Sequence, residues 1–414
     1  MNQNTNPPPS ASKPKEIKLN IPPVLKIVLG LLFAIDATVI PLSFTYEWAA
    51  TIALPALAIV TFLAMVIKNR DLSIGFVMLV PGALLWMMTG SYIITCLWVI
   101  ALALIGGTAY LLRGMHLLLW LLIPIVSFGA SFAAVGAPLP ALSCLIFFPA
   151  ALALHSSIST AKTRTGAIAM TAAALVFSFV AAALFALYAK EGHLSVDSVK
   201  TVLDKFRHSV ETQVYVALNQ QVEMIKTVGY EISVSTEEVA QTLVTTLFNF
   251  LPGIVILLCL VVGWCAQPMP FILHQRVDPD APVPVTARVL VFSPLTGAVY
   301  IISQILGIFY SFTDNAVLLV FANVALILCP GLALNGLGYL FGRRAAMRAG
   351  GRPAGSSPMP FIIFIGLLVM LLFGLTFAAY LLIFFALLGG YSSIAVEVRR
   401  YLRNKNGNND SSNS

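Results

Sequence analysis

The sequence contains few charged residues, and this shortage excludes a water-soluble globular protein. Only 10% of its 414 residues are Asp, Glu, Lys or Arg, whereas soluble domains contain roughly 25%. Hydrophobic residues make up 59% of the chain, and its mean hydropathy is +0.91. A chain of this composition needs lipid as its main solvent. The composition therefore predicts an integral membrane protein.

Motifs that carry chemistry are also scarce. The five cysteines lie within or beside apolar runs, without a CxxC pair or a histidine at metal-ligand spacing, which favours buried thiols that pack as small hydrophobes. The five histidines never pair at i, i+4, and GxxxxGK[ST], GxGxxG, HExxH and GxSxG are absent. We therefore predict no catalytic residue, no metal site, no cofactor and no enzymatic activity.

Long apolar runs dominate the sequence. A membrane-spanning helix needs roughly 20 residues, and the final apolar stretch, 358–390, is too long for one span, which favours two spans with a break near Gly374. The fold class is therefore an all-α polytopic membrane helix bundle of about 12 spans, within a range of 10 to 12. The predicted spans are 24–44, 48–67, 72–89, 91–112, 115–135, 138–158, 165–189, 246–266, 288–311, 315–342, 357–374 and 375–396.

The basic residues are sorted along the chain in a way that predicts its orientation. If the N-terminal tail is cytoplasmic and each run crosses once, 19 of the 24 basic residues fall on the cytoplasmic side, as the positive-inside rule requires. The exception is the segment 190–245, in which five basic residues are outnumbered by eight acidic ones. Both termini are thus predicted to be cytoplasmic. The basic residues behind the net charge of +7 lie in short loops beside the apolar runs, where they can face anionic lipid headgroups. This placement argues against nucleic-acid binding.

These patterns divide the chain into five parts. We predict a disordered cytoplasmic tail at 1–23, a membrane bundle of about seven helices at 24–189, an amphipathic extracytoplasmic segment at 190–245, a second membrane bundle at 246–396, and a basic and then disordered cytoplasmic tail at 397–414. The connector 267–287 contains five prolines. Because proline interrupts helices, we expect an extended loop there.

The segment 190–245 has helical periodicity. An apolar stripe opposite a charged face predicts an amphipathic helix of about 30 residues, and Ser235 with Glu238 forms a capping box that predicts a second helix. This pattern fits three alternatives. The helix could cover other spans or lie on lipid, it could bind a partner or act as a lid, or it could pair with a second copy of the chain. The stripe consists of Val199, Leu203, Phe206, Val210, Val214, Ala217, Val222 and Ile225.

Asp36 is the most informative single residue. It lies about 18 Å into the first predicted span, near mid-depth, where an aspartate costs about 2.5–3.5 kcal/mol on insertion scales. It must therefore face protein or water. Two interpretations remain open: a ligand, ion or proton site, or an acid that only hydrogen-bonds a neighbouring helix or stays protonated.

Small residues mark two helix faces. Gly30, Ala34 and Ala37 on the first span allow close helix approach, either within the protein or at a docking surface. Gly338 and Gly342 form a GxxxG in a later span, and the nearby Asn335 is a second candidate for substrate binding.

The second half contains FNFLPG (Phe248–Gly253), VFSPLTGAVYII (Val291–Ile302), CPGLALNGLGYLFGRR (Cys329–Arg344) and LLGGYSSIAVEVRRYLR (Leu387–Arg403). In these motifs the chain resembles the YybS-like family of predicted bacterial integral membrane proteins, which has a domain of unknown function. The N-terminal half of that family is similar to the substrate-binding subunits of energy-coupling-factor vitamin transporters. Those subunits dock a coupling subunit through small residues of their first helix, and Gly30, Ala34 and Ala37 correspond to that face. The resemblance supplies no ligand residue.

Two functions follow as hypotheses. The first is a multi-pass protein of the bacterial cytoplasmic membrane that binds a small molecule among its helices as part of a transport system, with a transporter coupling subunit as partner. The second is a non-transporting scaffold or regulator of envelope proteins, which acts through the segment 190–245.

Overall fold

The structure is a computed structural model, and it describes residues 21–67, 73–160, 163–192, 195–227, 235–278, 290, 292–313, 315–348, 379–398 and 401–402. Within these ranges the regular structure is helical and contains no strand, so the all-α prediction is confirmed. The chain divides into two compact units, the first formed by Met1–Val199 with Leu258–Val289 and the second by Lys200–Leu257 with Leu290–Ser414. The boundary after Val199 falls within the helix Val196–Thr227, and the boundary after Leu257 falls within the helix Thr236–Ala266.

Ten helices belong to the first unit up to Glu191, and they are joined by short π- and 3₁₀-helical pieces. The π-helices are Ala49–Ala53 and Ala103–Gly107, and the 3₁₀-helix is Leu142–Leu145. The α-helices are α1 Pro23–Thr45, α2 Leu54–Val66, α3 Ser73–Thr89, α4 Tyr92–Leu102, α5 Thr108–Gly114, α6 Leu117–Trp120, α7 Leu122–Val135, α8 Pro138–Ala141, α9 Phe148–Ser159 and α10 Arg164–Glu191.

The remaining helices are longer. They are α11 Val196–Thr227, α12 Thr236–Ala266, α13 Met269–Val277, α14 Pro294–Thr313, α15 Ala316–Arg348 and α16 Ala379–Val398. In the described residues, nine helical stretches are long and apolar enough to cross a membrane, and two shorter apolar helices, Gly75–Met87 and Pro294–Tyr310, accompany them. The predicted span 357–374 and the break near Gly374 lie outside the described residues.

The first unit is built around the continuous helix formed by α4, the second π-helix and α5. Every residue from Trp98 to Leu112 in it is buried, and α1, α2, α9 and α13 pack against it. A helix that is apolar all round can be enclosed by other helices without burying unpaired charge, and this one is the most completely buried helix among the candidate spans. Gly107 permits the closest approach, because a Cβ there would overlap the ring of Phe33 on α1.

The connector after α12 differs from its prediction. Residues 269–277 form helix α13 instead of an extended loop, and the rest of the connector from 279 to 287 lies outside the described residues. Pro268 caps α13 and Pro270 lies in its first turn, where the missing N–H of proline would have no intrahelical partner in any case. Met269 fits against Gly106, and Phe271 lies 5.8 Å below the Arg113 guanidinium. The prolines therefore start a helix here.

In the second unit α11 and the first part of α12 form an antiparallel pair, which we call the α11–α12 hairpin (Val196–Thr227 with Thr236–Phe248). Arg207 donates to the Thr245 hydroxyl over 2.7 Å, and the rings of Phe206 and Phe248 are 5.7 Å apart. Farther along, the Thr236 hydroxyl donates to the Asn219 carboxamide over 2.8 Å. The Ser235 hydroxyl accepts from the Glu238 N–H, so the predicted cap and both predicted helices are confirmed.

The core of the second unit lies between α14, α15 and α16. Its buried residues are Tyr300, Ala325, Cys329, Leu332, Ala333 and Ala386. Glycines let the backbones meet: a Cβ at Gly297 of α14 would lie 2.5 Å from the Gly390 oxygen of α16. This contact uses small residues in the way that membrane helices associate in the absence of a hydrophobic driving force.

Candidate functional site

Asp36 is enclosed by the first unit. It lies near the middle of α1, a helix of 23 residues that starts with Pro23 at its first position, and its side chain is 0% exposed. The helix is apolar enough to span a membrane. The position therefore combines a carboxyl group, membrane depth and complete burial.

Thr61 of α2 is the hydrogen-bonding partner of Asp36. Its hydroxyl donates to the carboxyl group, with Oγ1 at 2.8 Å from Oδ2 and 2.9 Å from Oδ1. Thr61 is itself 0% exposed. Among the described residues it is the only side chain that hydrogen-bonds to Asp36, so the carboxyl group meets a neutral partner.

Apolar and small residues complete the surroundings on α1. Phe33, one turn before Asp36, is fully buried and packs on Gly107 of the central helix. The Ser127 hydroxyl of α7 donates to the Ile123 carbonyl over 2.7 Å and lies 3.2 Å from the Ala34 carbonyl oxygen. These contacts join α1 to α7 and to the central helix.

The small residues predicted for packing or docking lie at this same junction. Ala34 and Ala37 are buried, and a Cβ at Gly30 would meet the Ile123 side chain of α7 at 3.9 Å. In the described chain these three positions contribute to helix contacts inside the first unit. The docking role that the resemblance to vitamin-transporter subunits implies for this face stays a prediction.

Asn335 is placed in the second unit, where it joins α15 to α16. Its Nδ2 donates to the Gly389 carbonyl over 3.2 Å and lies 3.1 Å from the Ser393 hydroxyl and 3.4 Å from that of Ser392. The amide hydrogens are thus directed at the neighbouring helix. These bonds join α15 to α16, and the substrate-binding role of Asn335 stays a prediction.

Gly336 and Gly389 bring α15 and α16 together. A Cβ at Gly336 would overlap the Phe385 carbonyl oxygen, and one at Gly389 would overlap the Leu332 carbonyl oxygen. In contrast, a Cβ at Gly338 would have no described atom within 4 Å. The surroundings of Gly342 lie outside the part of the structure that is described. In the described residues α15 meets α16 at Gly336, and the packing or docking role of Gly338 and Gly342 stays a prediction.

A second polar cluster, which the sequence interpretation missed, surrounds Pro252 of α12. The Asn323 carboxamide of α15 accepts from the Gly253 N–H over 2.9 Å and donates to the Asn249 carbonyl over 3.1 Å. In a regular helix these two backbone groups would bond to each other. Asn249 also donates to the Tyr310 hydroxyl over 2.9 Å. The asparagines inside two apolar runs were the available signal.

The cluster depends on a glycine. A Cβ at Gly253 would overlap the Asn323 Oδ1 atom, so this position admits the carboxamide only because it lacks a side chain. Pro252 adds to the requirement, because proline removes one backbone donor from the ladder at this level. The FNFLPG motif is thus the α12 half of an interhelical contact.

The described residues contain no group of three His, Cys, Asp or Glu side chains that could hold a metal ion. The five cysteines are free thiols, and four of them are buried. Lys226 and Glu223 form an ion pair at 2.8 Å on the exposed surface of α11.

The helical fold, the apolar spans and the enclosed polar contacts are those of a polytopic helical membrane protein. The environment of such a protein is a lipid bilayer. No family model, curated protein or solved structure matches the chain. The resemblance to the YybS-like family therefore stays a prediction.

Proposed function

We propose that this chain is a multi-pass bacterial membrane protein that binds a small molecule among the helices of its first unit, as the substrate-binding subunit of a transport system. Its partner in this proposal is a transporter coupling subunit. The resemblance to the YybS-like family and to vitamin-binding subunits supports the proposal at the level of sequence. No catalytic residue is assigned, and no enzymatic activity is proposed.

The observation that carries the proposal is the burial of Asp36. An acid at membrane depth costs about 2.5–3.5 kcal/mol on insertion scales, and an apolar residue would fill the same space without that cost. Asp36 of α1 and its partner Thr61 of α2 are nevertheless both fully enclosed. A functional requirement for the carboxyl group accounts for its retention at this cost.

The charge distribution supports a location in the bacterial cytoplasmic membrane with both termini in the cytoplasm. The connectors around 68–70, 162–164 and 343–352 are rich in arginine and lysine, as loops on the cytoplasmic side generally are. The segment 190–245 lies on the opposite side in this proposal.

A thermal-shift screen of the purified protein against vitamins, metal ions and lipids tests the binding function. A ligand that binds the folded state raises its stability by about 2.7 kcal/mol at a hundred times its Kd. We expect at least one compound to raise the melting temperature, and we expect Asp36→Asn to reduce that rise.

The control is Asp204→Asn, which removes a carboxylate from the exposed surface of α11 and should leave the ligand-induced rise intact. A flat response of the wild-type protein across the whole screen would contradict the proposal. So would a rise of the same size in the Asp36→Asn protein.

The α11–α12 hairpin favours a second candidate, a membrane scaffold or regulator of envelope proteins. None of the described residues of α11 is buried, and large apolar side chains are exposed along it, among them Val216, Met224 and Ile225. An exposed apolar face of this kind is typical of contact with another molecule. Deletion of 196–232 should abolish function under this second candidate, and it should spare ligand stabilisation under the first.

A further inference from the structure

The chemistry of Asp36 can be defined more closely from its contacts. An ionised carboxylate offers about four lone-pair positions to hydrogen-bond donors. The described structure supplies one donor, the Thr61 hydroxyl, which lies close to both carboxyl oxygens at 2.8 and 2.9 Å. A single hydroxyl hydrogen leaves most of an ionised group unsatisfied.

Burial makes this shortage costly. Moving an isolated ionised carboxylate into a low-dielectric interior costs far more than moving a neutral polar group, and the group takes up a proton instead. Asp36 is 0% exposed, and Phe33, Ala37, Val39 and Ile40 of its own helix are also buried. The surroundings thus favour the uncharged form.

The charged and titratable groups of the neighbouring helices do not compensate. The helices packed on α1 carry few such groups, and none of them hydrogen-bonds or forms an ion pair with Asp36 in the described part of the chain. On α1 itself, Lys26 is ten residues away, roughly 15 Å along the helix. The groups on the packed elements are Tyr92 and Cys96 of α4, Tyr110 and Arg113 of α5, and Cys144 of the 3₁₀-helix.

Thr61 is suited to a neutral acid as well. A hydroxyl accepts as readily as it donates, so Thr61 can receive a hydrogen bond from a protonated carboxyl group at the same distance. No rearrangement of the two side chains is needed. The pair therefore has a complete hydrogen bond when Asp36 carries a proton.

We propose that Asp36 is a proton-binding site. In the closed bundle its carboxyl group carries one proton and donates it in a hydrogen bond to Thr61, and a rearrangement that brings water to the site releases that proton and leaves the carboxylate. This proposal rests on the proposed function, because both assign a role to Asp36. It adds that the species bound by Asp36 is a proton. Any transport step that opens this junction would then release one proton.

Difference infrared spectroscopy of the purified protein, without added ligand, tests the proposal. We expect the wild-type protein at neutral pH to show the C=O stretch of one protonated carboxylic acid. This band should shift in D₂O and vanish in Asp36→Asn. Thr61→Val, which keeps the shape of the threonine but removes its hydroxyl, should move the band to higher frequency because the acid loses its hydrogen-bond acceptor.

Asp204→Asn is the matched control and should retain the band, because its carboxylate is exposed to water. Of the acidic side chains that the structure describes, Asp36 is the one that is buried, so the band has a clear assignment. If Asp36→Asn does not fold, the shift in Thr61→Val assigns the band. A wild-type spectrum at neutral pH without an acid band, or an acid band unchanged in Thr61→Val and Asp36→Asn, would overturn the proposal.

The test is separate from that of the proposed function. A flat ligand screen with the acid band present would contradict small-molecule binding and leave the proton site standing. A ligand-induced rise in melting temperature without the acid band would support binding and remove the proton site.

Discussion

Replacing Gly336 with alanine should separate α15 from α16. The new Cβ would overlap the Phe385 carbonyl oxygen and lie 2.9 Å from the Gly389 nitrogen. Both are backbone atoms, so neither can move aside by a change of rotamer, and the two helices must shift as bodies. Carbon atoms pack best at about 3.5–4.0 Å, so the helices must part by roughly an ångström.

The expected cost is at the upper end of what overpacking produces. Extra methyl groups in a packed interior typically cost about 1–3 kcal/mol. The shift also misaligns the bonds that Asn335 makes with α16, and interhelical hydrogen bonds in membranes are worth about 0.6 kcal/mol each. We expect Gly336→Ala to lower the free energy of unfolding by about 3–4 kcal/mol.

Gly338→Ala provides the control on the same helix. Its Cβ would have no described atom within 4 Å, and alanine favours a helix over glycine by about 0.5–1 kcal/mol. The same chemical change should therefore destabilise at one position and be neutral or slightly stabilising two residues later. Equilibrium unfolding in mixed detergent micelles, followed by circular dichroism, measures both values. Equal stabilities of the two variants would refute the role assigned to Gly336.

Three further results are expected. Asn323→Ala should cost about 1 kcal/mol in the same unfolding assay, because it removes two interhelical hydrogen bonds worth about 0.6 kcal/mol each; a cost near zero would contradict the contact with α12. Phe206→Ala should remove about 0.5–1.5 kcal/mol of ring contact with Phe248 and accelerate proteolysis within the α11–α12 hairpin, and an unchanged cleavage rate would argue against the hairpin. Reporter fusions after Arg348 and near Gln220 should give signals in opposite compartments, and matching signals would reject the proposed topology.

The helical class and most helix positions could be predicted because they depend on local composition. Apolar runs of sufficient length mark α1 or α10 without knowledge of their neighbours. The cap at Ser235 is equally local, since it requires only a hydroxyl and an N–H three residues apart. Asp36 was identifiable for the same reason, because a single acid in an apolar run stands out whatever surrounds it.

The partners across helices could not be predicted. Thr61 and Asn323 each hydrogen-bond to another helix. These contacts depend on how each helix is rotated and shifted relative to its neighbour, which residue spacing does not reveal. The GxxxG spacing selected Gly338, but the orientation of α15 places Gly336 at the contact. Similarly, proline can either interrupt a helix or begin one. Which of the two occurs at α13 depends on where the prolines lie relative to its first turn, and the sequence alone does not show this.

The uninterrupted course of α12 has a mechanical consequence. The helix contains 31 residues, a rod of roughly 46 Å, whose first arm pairs with α11 and whose second arm is apolar. Asn323 bonds the α12 backbone close to Pro252, at the end of the first arm. A force applied to the α11–α12 hairpin would therefore act on this interhelical contact.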